Sequence, residues 1–253
     1  MGNEQGRSDN VCSRLDVGTA SALLQQKKSE PDDRRLAARF LGKVAEQGVE
    51  DVQVESIVRL LARAAGTEDA PEVLTEIINS IGTFASPLGL PVVMSNILNR
   101  SSEVRTAVAA NLPFLLDENN ALTVEEALAD LTYDDDAGVR EWATLGIGSQ
   151  LLFSPSSQYF EKSERSREAL RARATVDTEP EVRGEALIGL ARRGDPDTLR
   201  LIDAELCGYS VARSTLRAAI LLSDPRLSAS LERLRSWWSE DGALLDQALR
   251  SSA

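Results

Sequence analysis

The feature that most constrains this fold is an internal repeat. Three segments align without gaps: EVRTAVAANL from residue 103, GVREWATLGI from residue 138 and EVRGEALIGL from residue 181. In each segment a valine precedes an arginine, and apolar residues follow four and eight positions after the valine. This spacing places the apolar residues on one side of an α-helix. The repeat therefore predicts a series of similar helices that each bury one face.

Weaker copies extend the pattern in both directions, at 33–41, 73–81 and 212–220. The positions taken as equivalent are Arg34, Leu74, Arg105, Arg140, Arg183 and Arg213. They are 30 to 43 residues apart, which is enough for two helices and two turns. Further helical patterns lie between the copies, at roughly 51–64, 91–99, 123–132, 163–174, 196–206 and 226–238. The sequence thus predicts an all-α chain of about six helix pairs, the architecture of a repeat protein.

Two glycines occupy the same place in two of the strong copies, six residues after the arginine. They are Gly146 and Gly189, and each lies inside a predicted helix, where glycine costs roughly 1 kcal/mol relative to alanine. We expect them to allow a close approach between neighbouring helices. The alternative is that they are simply poor helix formers. The three aspartates at 134–136 are expected to cap the helix that follows, because the later ligands of a calcium loop are missing.

Two segments resemble HEAT repeats of the short bacterial type called PBS-lyase HEAT-like. They are DDDAGVREWATLGIGSQL (134–151) and EPEVRGEALIGLARRGDPDTLRLIDAEL (179–206), and SSEVRTAVAANLPFLL (101–116) is a weaker match. The resemblance implies a right-handed α-α superhelix, with the first helix of each pair on the convex side and the second on the concave side. It implies no single activity, because the family includes scaffolds, adaptors, subunit-binding factors and a few enzymes.

The two ends of the chain are predicted to differ from the repeats. Residues 1–16 are rich in Gly, Asn, Ser and charge, and we expect a disordered tail there, followed by one solenoid domain over 17–253. TASALLQQKK (19–28) and GALLDQALRSS (242–252) are predicted to form helices that close the ends of the stack. With two cysteines, no apolar leader and no apolar run of membrane-spanning length, we expect a cytoplasmic protein that is monomeric alone.

The composition excludes many kinds of catalysis. The chain contains no histidine, which removes Ser-His-Asp triads, HExxH metal sites and the iron-dependent hydroxylases among HEAT proteins. No phosphate-binding P-loop and no GxSxG motif are present. We therefore expect a non-catalytic protein without a cofactor.

The charge distribution indicates the kind of partner. The net charge is −12, and residues 51–150 alone contain 16 acidic and 5 basic side chains. Nucleic acids and anionic membranes are approached with basic surfaces, so neither is an expected partner. The leading hypothesis is a scaffold that binds a basic protein. A lyase-like or chromophore-handling factor is the alternative, and nucleic-acid binding is a weaker third hypothesis.

Three carboxylates are the candidate binding residues in the acidic middle. Glu125, Glu126 and Asp130 lie on a predicted second helix, which the family geometry places on the concave side. The opposing interpretation is that the arginines of the next second helix neutralise them. Those arginines are Arg165, Arg167, Arg171 and Arg173.

Aromatic residues form a second candidate group. LLFSPSSQYFEKSE (151–164) is the longest interruption between two predicted helices, and it contains Phe153, Tyr159 and Phe160. Long loops in compact repeats are often functional, so these three residues are candidates for partner contact. The alternative is that they fold back onto the helices. Trp142, next to the apolar stripe, is expected in the core.

Overall fold

The chain folds into helices joined by short connections. A computed structural model describes residues 15–26, 28–45, 50–154 and 157–252, and these residues form fifteen α-helices and several 3-10 turns, with no β-strand. This confirms the prediction of an all-α chain in which helices follow one another in pairs. Two compact units are distinguished, residues 1–117 and 118–253. Residues 1–14 of the predicted tail lie outside the described residues, and the prediction of one domain over 17–253 stays a prediction.

The first unit contains six helices in the part of it that the structure describes. They are α1 (Val17–Gln25), α2 (Pro31–Val44), α3 (Asp51–Ala65), α4 (Pro71–Thr83), α5 (Leu90–Met94) and α6 (Ser102–Asn111). The repeated helices α2, α4 and α6 pack side by side, α1 covers α2, and α3 packs against α4. Fully buried side chains of the predicted stripes, such as Leu41, Ile77 and Val108, fill the space between them. The apolar periodicity therefore identified the core of this unit.

The second unit contains nine helices in the described residues. They are α7 (Ala121–Leu131), α8 (Ala137–Gly148), α9 (Ser157–Lys162), α10 (Glu164–Val176), α11 (Pro180–Arg192), α12 (Thr198–Leu206), α13 (Arg213–Leu222), α14 (Ser228–Arg235) and α15 (Gly242–Ser251). The helices α8, α11, α13 and α15 pack in one row, and α7, α10, α12 and α14 pack behind them. Asp136 caps α8 through the backbone N–H groups of Gly138 and Val139, as the sequence predicts.

Glycine allows a close contact between two helices of the second unit. A Cβ atom on Gly189 of α11 would lie 2.6 Å from the Cα of Gly148 on α8, a separation that real Cβ atoms do not adopt. The structure therefore confirms the packing role that the sequence predicts for Gly189. Its partner across the contact is Gly148, because that residue faces α11 at the point where the helices cross. Gly189 therefore contacts Gly148 rather than Gly146, the glycine at the equivalent position of the repeat.

Two of the repeated arginines, Arg140 and Arg183, connect their helices to neighbouring parts of the chain. The Nη1 of Arg140 donates to the carbonyl oxygens of Asp134 and Asp135, both at 3.1 Å, in the turn before its own helix. Its Nε and Nη2 donate to the two carboxylate oxygens of Asp177, at 2.7 and 3.0 Å. Arg183 repeats both contacts, with the carbonyls of the turn before α11 and with Glu205. Such bidentate pairs fix geometry as well as charge.

A buried arginine holds the inserted helix α9. Arg193 donates to four backbone carbonyls, those of Ile147 at 2.6 Å, Gly148 at 3.4 Å, Gly189 at 3.1 Å and Phe160 at 3.3 Å. These carbonyls belong to α8, α11 and α9, so one side chain joins three elements. Burial lowers the pKa of Arg193 to about 10, and the guanidinium stays charged at neutral pH.

Two buried aspartates predict that stability depends on pH. Asp177 and Asp195 have no exposed side-chain surface. Burial raises the pKa of each carboxyl group, but hydrogen bonds from arginines and backbone N–H groups have the larger combined effect. The pKa of each aspartate is therefore lower than its ordinary value. A carboxylate with a lowered pKa stabilises the fold above the unfolded-state pKa of about 3.9 and loses that contribution as pH falls through its folded-state pKa. We expect the urea midpoint to fall between pH 5 and pH 3. The fall should be smaller in Asp195→Asn, and an unchanged fall in that variant would contradict this explanation.

Candidate protein-binding surface

Four side chains of the second unit form a surface that we call the Tyr159 patch: Glu126, Asp130, Tyr159 and Arg165. The Nη2 of Arg165, on α10, lies 3.0 Å from a carboxylate oxygen of Asp130 on α7, and its Nη1 lies 3.9 Å from Glu126. Tyr159 is 47% exposed. The Asp130 and Glu126 side chains are 74% and 49% exposed. The structure thus brings together three of the six predicted residues on an accessible surface.

Two of the predicted residues are buried below this patch. Glu125 has no exposed surface, and one of its carboxylate oxygens accepts a hydrogen bond of 2.5 Å from the Ser166 hydroxyl. Phe160 is also fully buried, and its ring meets the Tyr159 ring edge to face at 5.1 Å between centroids. The expectation that Glu125 and Phe160 face a partner is corrected, because both side chains are fully buried and Glu125 is hydrogen-bonded to Ser166 of α10.

Tyr159 is affected by the charge beneath it. Burial is the main reason that the pKa of its hydroxyl is raised, and the carboxylates of Glu125 and Glu126 raise it further. The other oxygen of Glu125 is buried without a hydrogen-bond partner in the described part of the chain. With its pKa raised above the ordinary value, the Tyr159 hydroxyl stays protonated at neutral pH.

Phe153 makes a different contact. It is 79% exposed, and the guanidinium of Arg192 lies 5.4 Å from the centroid of its ring. This is a cation–π distance, and at an exposed site such a contact contributes about 0.5–1 kcal/mol. Only Phe160 of the three predicted aromatics folds back into the core, so the two interpretations of this segment each describe part of it.

Arginines neutralise part of the acidic charge, as one interpretation of the sequence expected. Arg165 lies between Glu126 and Asp130, and Arg171 pairs with Glu164 and with Asp195, each at 2.6 Å. The exposed pairs that Arg165 forms contribute only about 0–1 kcal/mol to stability. They nevertheless reduce the net negative charge that the Tyr159 patch presents to a partner.

A second group of carboxylates lies where α8 packs against α11, and it was not among the candidate residues selected from the sequence. Glu141 on α8 lies near Glu179, Glu181 and Glu185 at the start of α11, and we call these four residues the Glu141 cluster. None of them has an ion-pair partner within 4 Å in the described residues. Two of them accept hydrogen bonds from hydroxyl groups, such as the 2.8 Å hydrogen bond that Ser214 donates to Glu181.

Two glutamates of the Glu141 cluster, Glu141 and Glu185, have raised pKa values. The pKa of Glu141 is raised by burial first and then by the carboxylates of Glu181 and Glu179. Burial also raises the pKa of Glu185, while Arg217 opposes that shift. Like charges held close together favour binding of a cation, because a cation relieves their repulsion.

Trp142 lies next to this cluster in the sequence and is partly exposed. The expectation that it is a core residue is corrected, since 40% of its surface is accessible. The neighbouring stripe residue Ala143 is fully buried instead. A change of one helical position, about 100°, is enough to move a side chain from the core to the solvent-facing side.

Comparison with known proteins supports the fold. No protein-family model matches the sequence, and no curated protein matches it. Among solved structures, E. coli YibA aligns over 100% of this chain and 97% of its own, with a TM-score of 0.64 and 20% identity. The CpcE–CpcF complex of phycocyanin lyase from Nostoc sp. PCC7120 aligns over 94% of each chain, with a TM-score of 0.55 and 14% identity. The fold is that of the HEAT-like helical repeats.

A longer protein shares the same fold. Kap121p, solved bound to Pho4p, aligns over 99% of this chain with a TM-score of 0.64 and 10% identity. This chain spans only 30% of the length of Kap121p. The likeness therefore concerns how the helices pack.

The described residues contain neither a membrane-spanning helix nor a metal site. No helix there is long and apolar enough to cross a bilayer. No group of three or more Cys, Asp or Glu residues in the described ranges has the geometry of a metal site.

Proposed function

We propose that this chain is a non-catalytic scaffold that binds a protein partner through basic side chains of that partner. The observation that carries the proposal is the Glu141 cluster, in which four carboxylates lie near one another and none forms an ion pair within 4 Å in the described residues. A lysine or arginine placed there would relieve the repulsion among these groups. Complementary charge of this kind accelerates association and discriminates against acidic partners.

Trp142 adds a second means of holding a cation. Its half-exposed indole lies on the same helix as Glu141, and tryptophan gives the strongest cation–π contact of the aromatic residues. Aromatic side chains that combine apolar area with a polar edge are also frequent in the centres of protein interfaces. An arginine-rich segment that binds at Glu141 therefore also meets an exposed aromatic side chain at the next position of α8.

The Tyr159 patch has a smaller part in this proposal. Its two exposed carboxylates share Arg165, so a cationic partner gains less there than at the Glu141 cluster. The solved complex of Kap121p with Pho4p is an example of a protein with this fold binding another protein. The absence of histidine supports the non-catalytic part of the proposal.

Paired charge variants test the proposal. The full chain serves as bait in lysate of its source cells at about 50 mM salt, and bound protein is identified by mass spectrometry. In Glu141→Gln/Glu181→Gln we expect recovery of the partner to fall about tenfold, which corresponds to about 1.4 kcal/mol. Glu126→Gln/Asp130→Gln should reduce recovery less. Glu232→Gln, which alters an exposed carboxylate paired with Arg235, should leave recovery unchanged.

The salt and pH dependence distinguish this function from the alternatives. Recovery should fall as salt rises toward the range where charges are screened, and it should also fall on mild acidification, because the raised pKa of Glu141 lets it take up a proton before an ordinary glutamate. Equal recovery by wild type and Glu141→Gln/Glu181→Gln at every salt concentration would refute the proposed surface. A purified chain that absorbs visible light would favour the chromophore-handling alternative.

A further inference from the structure

Arg63, on α3 in the first unit, lies between two cavities. One cavity of about 270 Å³ has Leu24, Gln25 and Ala64 among its lining residues, and the other, of about 300 Å³, is lined by Arg59, Ala62, Arg63 and Leu88. Arg63 lines both cavities. Each cavity thus combines an apolar wall with the same positive charge.

The first cavity is also lined by two oppositely charged side chains that neutralise each other. Arg34 and Glu68 form a bidentate pair there, with N–O distances of 2.8 and 2.9 Å and side chains that are nearly buried. Glu68 also accepts the backbone N–H of Ala70, so its oxygens are fully used. This pair leaves the charge of Arg63 unneutralised.

The arginines of α3 are open to an external anion. Arg63 is exposed and has no carboxylate partner in the described part of the chain. Arg59, one helical turn earlier, pairs with Glu55 at 2.6 Å, and both side chains are more than half exposed. An exposed pair at this helical spacing contributes only about 0.3–0.5 kcal/mol, so an incoming carboxylate can replace it.

We infer that this surface of α3 binds an acidic segment of a partner protein. A carboxylate of that segment pairs with Arg63, and the apolar side chains on either side of it enter the two cavities. In an extended segment every second side chain points to the same side, so an acidic residue with apolar residues two positions before and two positions after it presents all three side chains to this surface. Charge complementarity selects the partner, since acidic segments are repelled by most of a chain whose net charge is −12 and are attracted here.

This surface is separate from the Glu141 cluster. It belongs to the first unit, it has the opposite charge, and its ligand is acidic. Failure of one proposal therefore leaves the other standing.

A peptide titration followed by NMR tests the inference. The full chain, labelled with ¹⁵N, is titrated with acetyl-Leu-Ser-Glu-Ser-Leu-amide and with the matched peptide acetyl-Leu-Ser-Gln-Ser-Leu-amide. We expect saturable shifts of residues in α1, α3 and the turn at 87–89 with the acidic peptide. The dissociation constant should be at least tenfold weaker for the glutamine peptide.

Variants assign the effect to Arg63. Arg63→Gln removes an exposed side chain and should keep the helical circular-dichroism spectrum while weakening the acidic peptide at least tenfold. Arg200→Gln removes an exposed arginine of the second unit and should leave binding unchanged. Equal affinity for the two peptides, wild-type affinity in Arg63→Gln, or no saturable shift at millimolar peptide would each overturn the inference.

Discussion

Replacing Asp177 with asparagine is expected to lower the free energy of unfolding by about 3–5 kcal/mol. Asp177 is fully buried and pairs with Arg140 at 2.7 Å and with Arg173 at 3.1 Å. Asparagine preserves the shape and can still accept the backbone N–H of Glu179, but it leaves two nearly buried guanidinium groups without an anion. Removing one partner of a buried ion pair has a cost of this size because the remaining charge is uncompensated.

A matched exposed pair serves as the control. Asp246 pairs with Arg235 at 2.8 Å, and both side chains are about half exposed. Asp246→Asn should change the stability by less than about 1 kcal/mol, because solvent already screens that pair. Urea unfolding of both variants at pH 7 compares them directly. Similar losses in the two variants would mean that the ion pairs of the repeat arginines do not hold the helix pairs together.

Gly189→Ala should produce the second large loss, about 1–3 kcal/mol. The new Cβ would lie 2.6 Å from the Cα of Gly148, so α8 and α11 must move apart or distort. Overpacking of a core has a cost of this magnitude. In an ordinary helix the same substitution would instead stabilise by up to about 1 kcal/mol, so helix propensity and helix packing predict opposite signs.

Gly242→Ala is the control for this substitution. Gly242 begins α15, and nothing lies within 4 Å of the Cβ that alanine would add there. Its stability should be unchanged or slightly increased. A thermal unfolding midpoint for Gly189→Ala at or above that of wild type would show that the two helices do not cross at these glycines.

Most of the fold could be predicted because it repeats. The Val-Arg segments gave the positions of α6, α8 and α11, since an apolar stripe with helical spacing has few other solutions. The partner of Gly189 could not be predicted in the same way. Equivalent positions in a repeat indicate equivalent roles, whereas a contact joins different positions of neighbouring helices, as Gly148 and Gly189 show.

The candidate site was less predictable for a related reason. Glu125 and Glu126 are adjacent in sequence, yet the first is fully buried and the second is half exposed, because neighbouring residues on a helix point about 100° apart. The Glu141 cluster joins residues more than 35 positions apart. Its signal becomes visible only once α8 and α11 are known to pack side by side, which places Glu141 near the acidic start of α11.

Hydrogen exchange of the complex with the captured partner, read by mass spectrometry, tests the proposed binding surface most directly. Exchange slows where a partner covers a surface or stabilises the element beneath it. We predict slower exchange in 137–148 and 180–192, the helices that carry the Glu141 cluster, and loss of this effect in Glu141→Gln/Glu181→Gln. Slower exchange confined to other helices, with these two segments unchanged, would contradict the proposal.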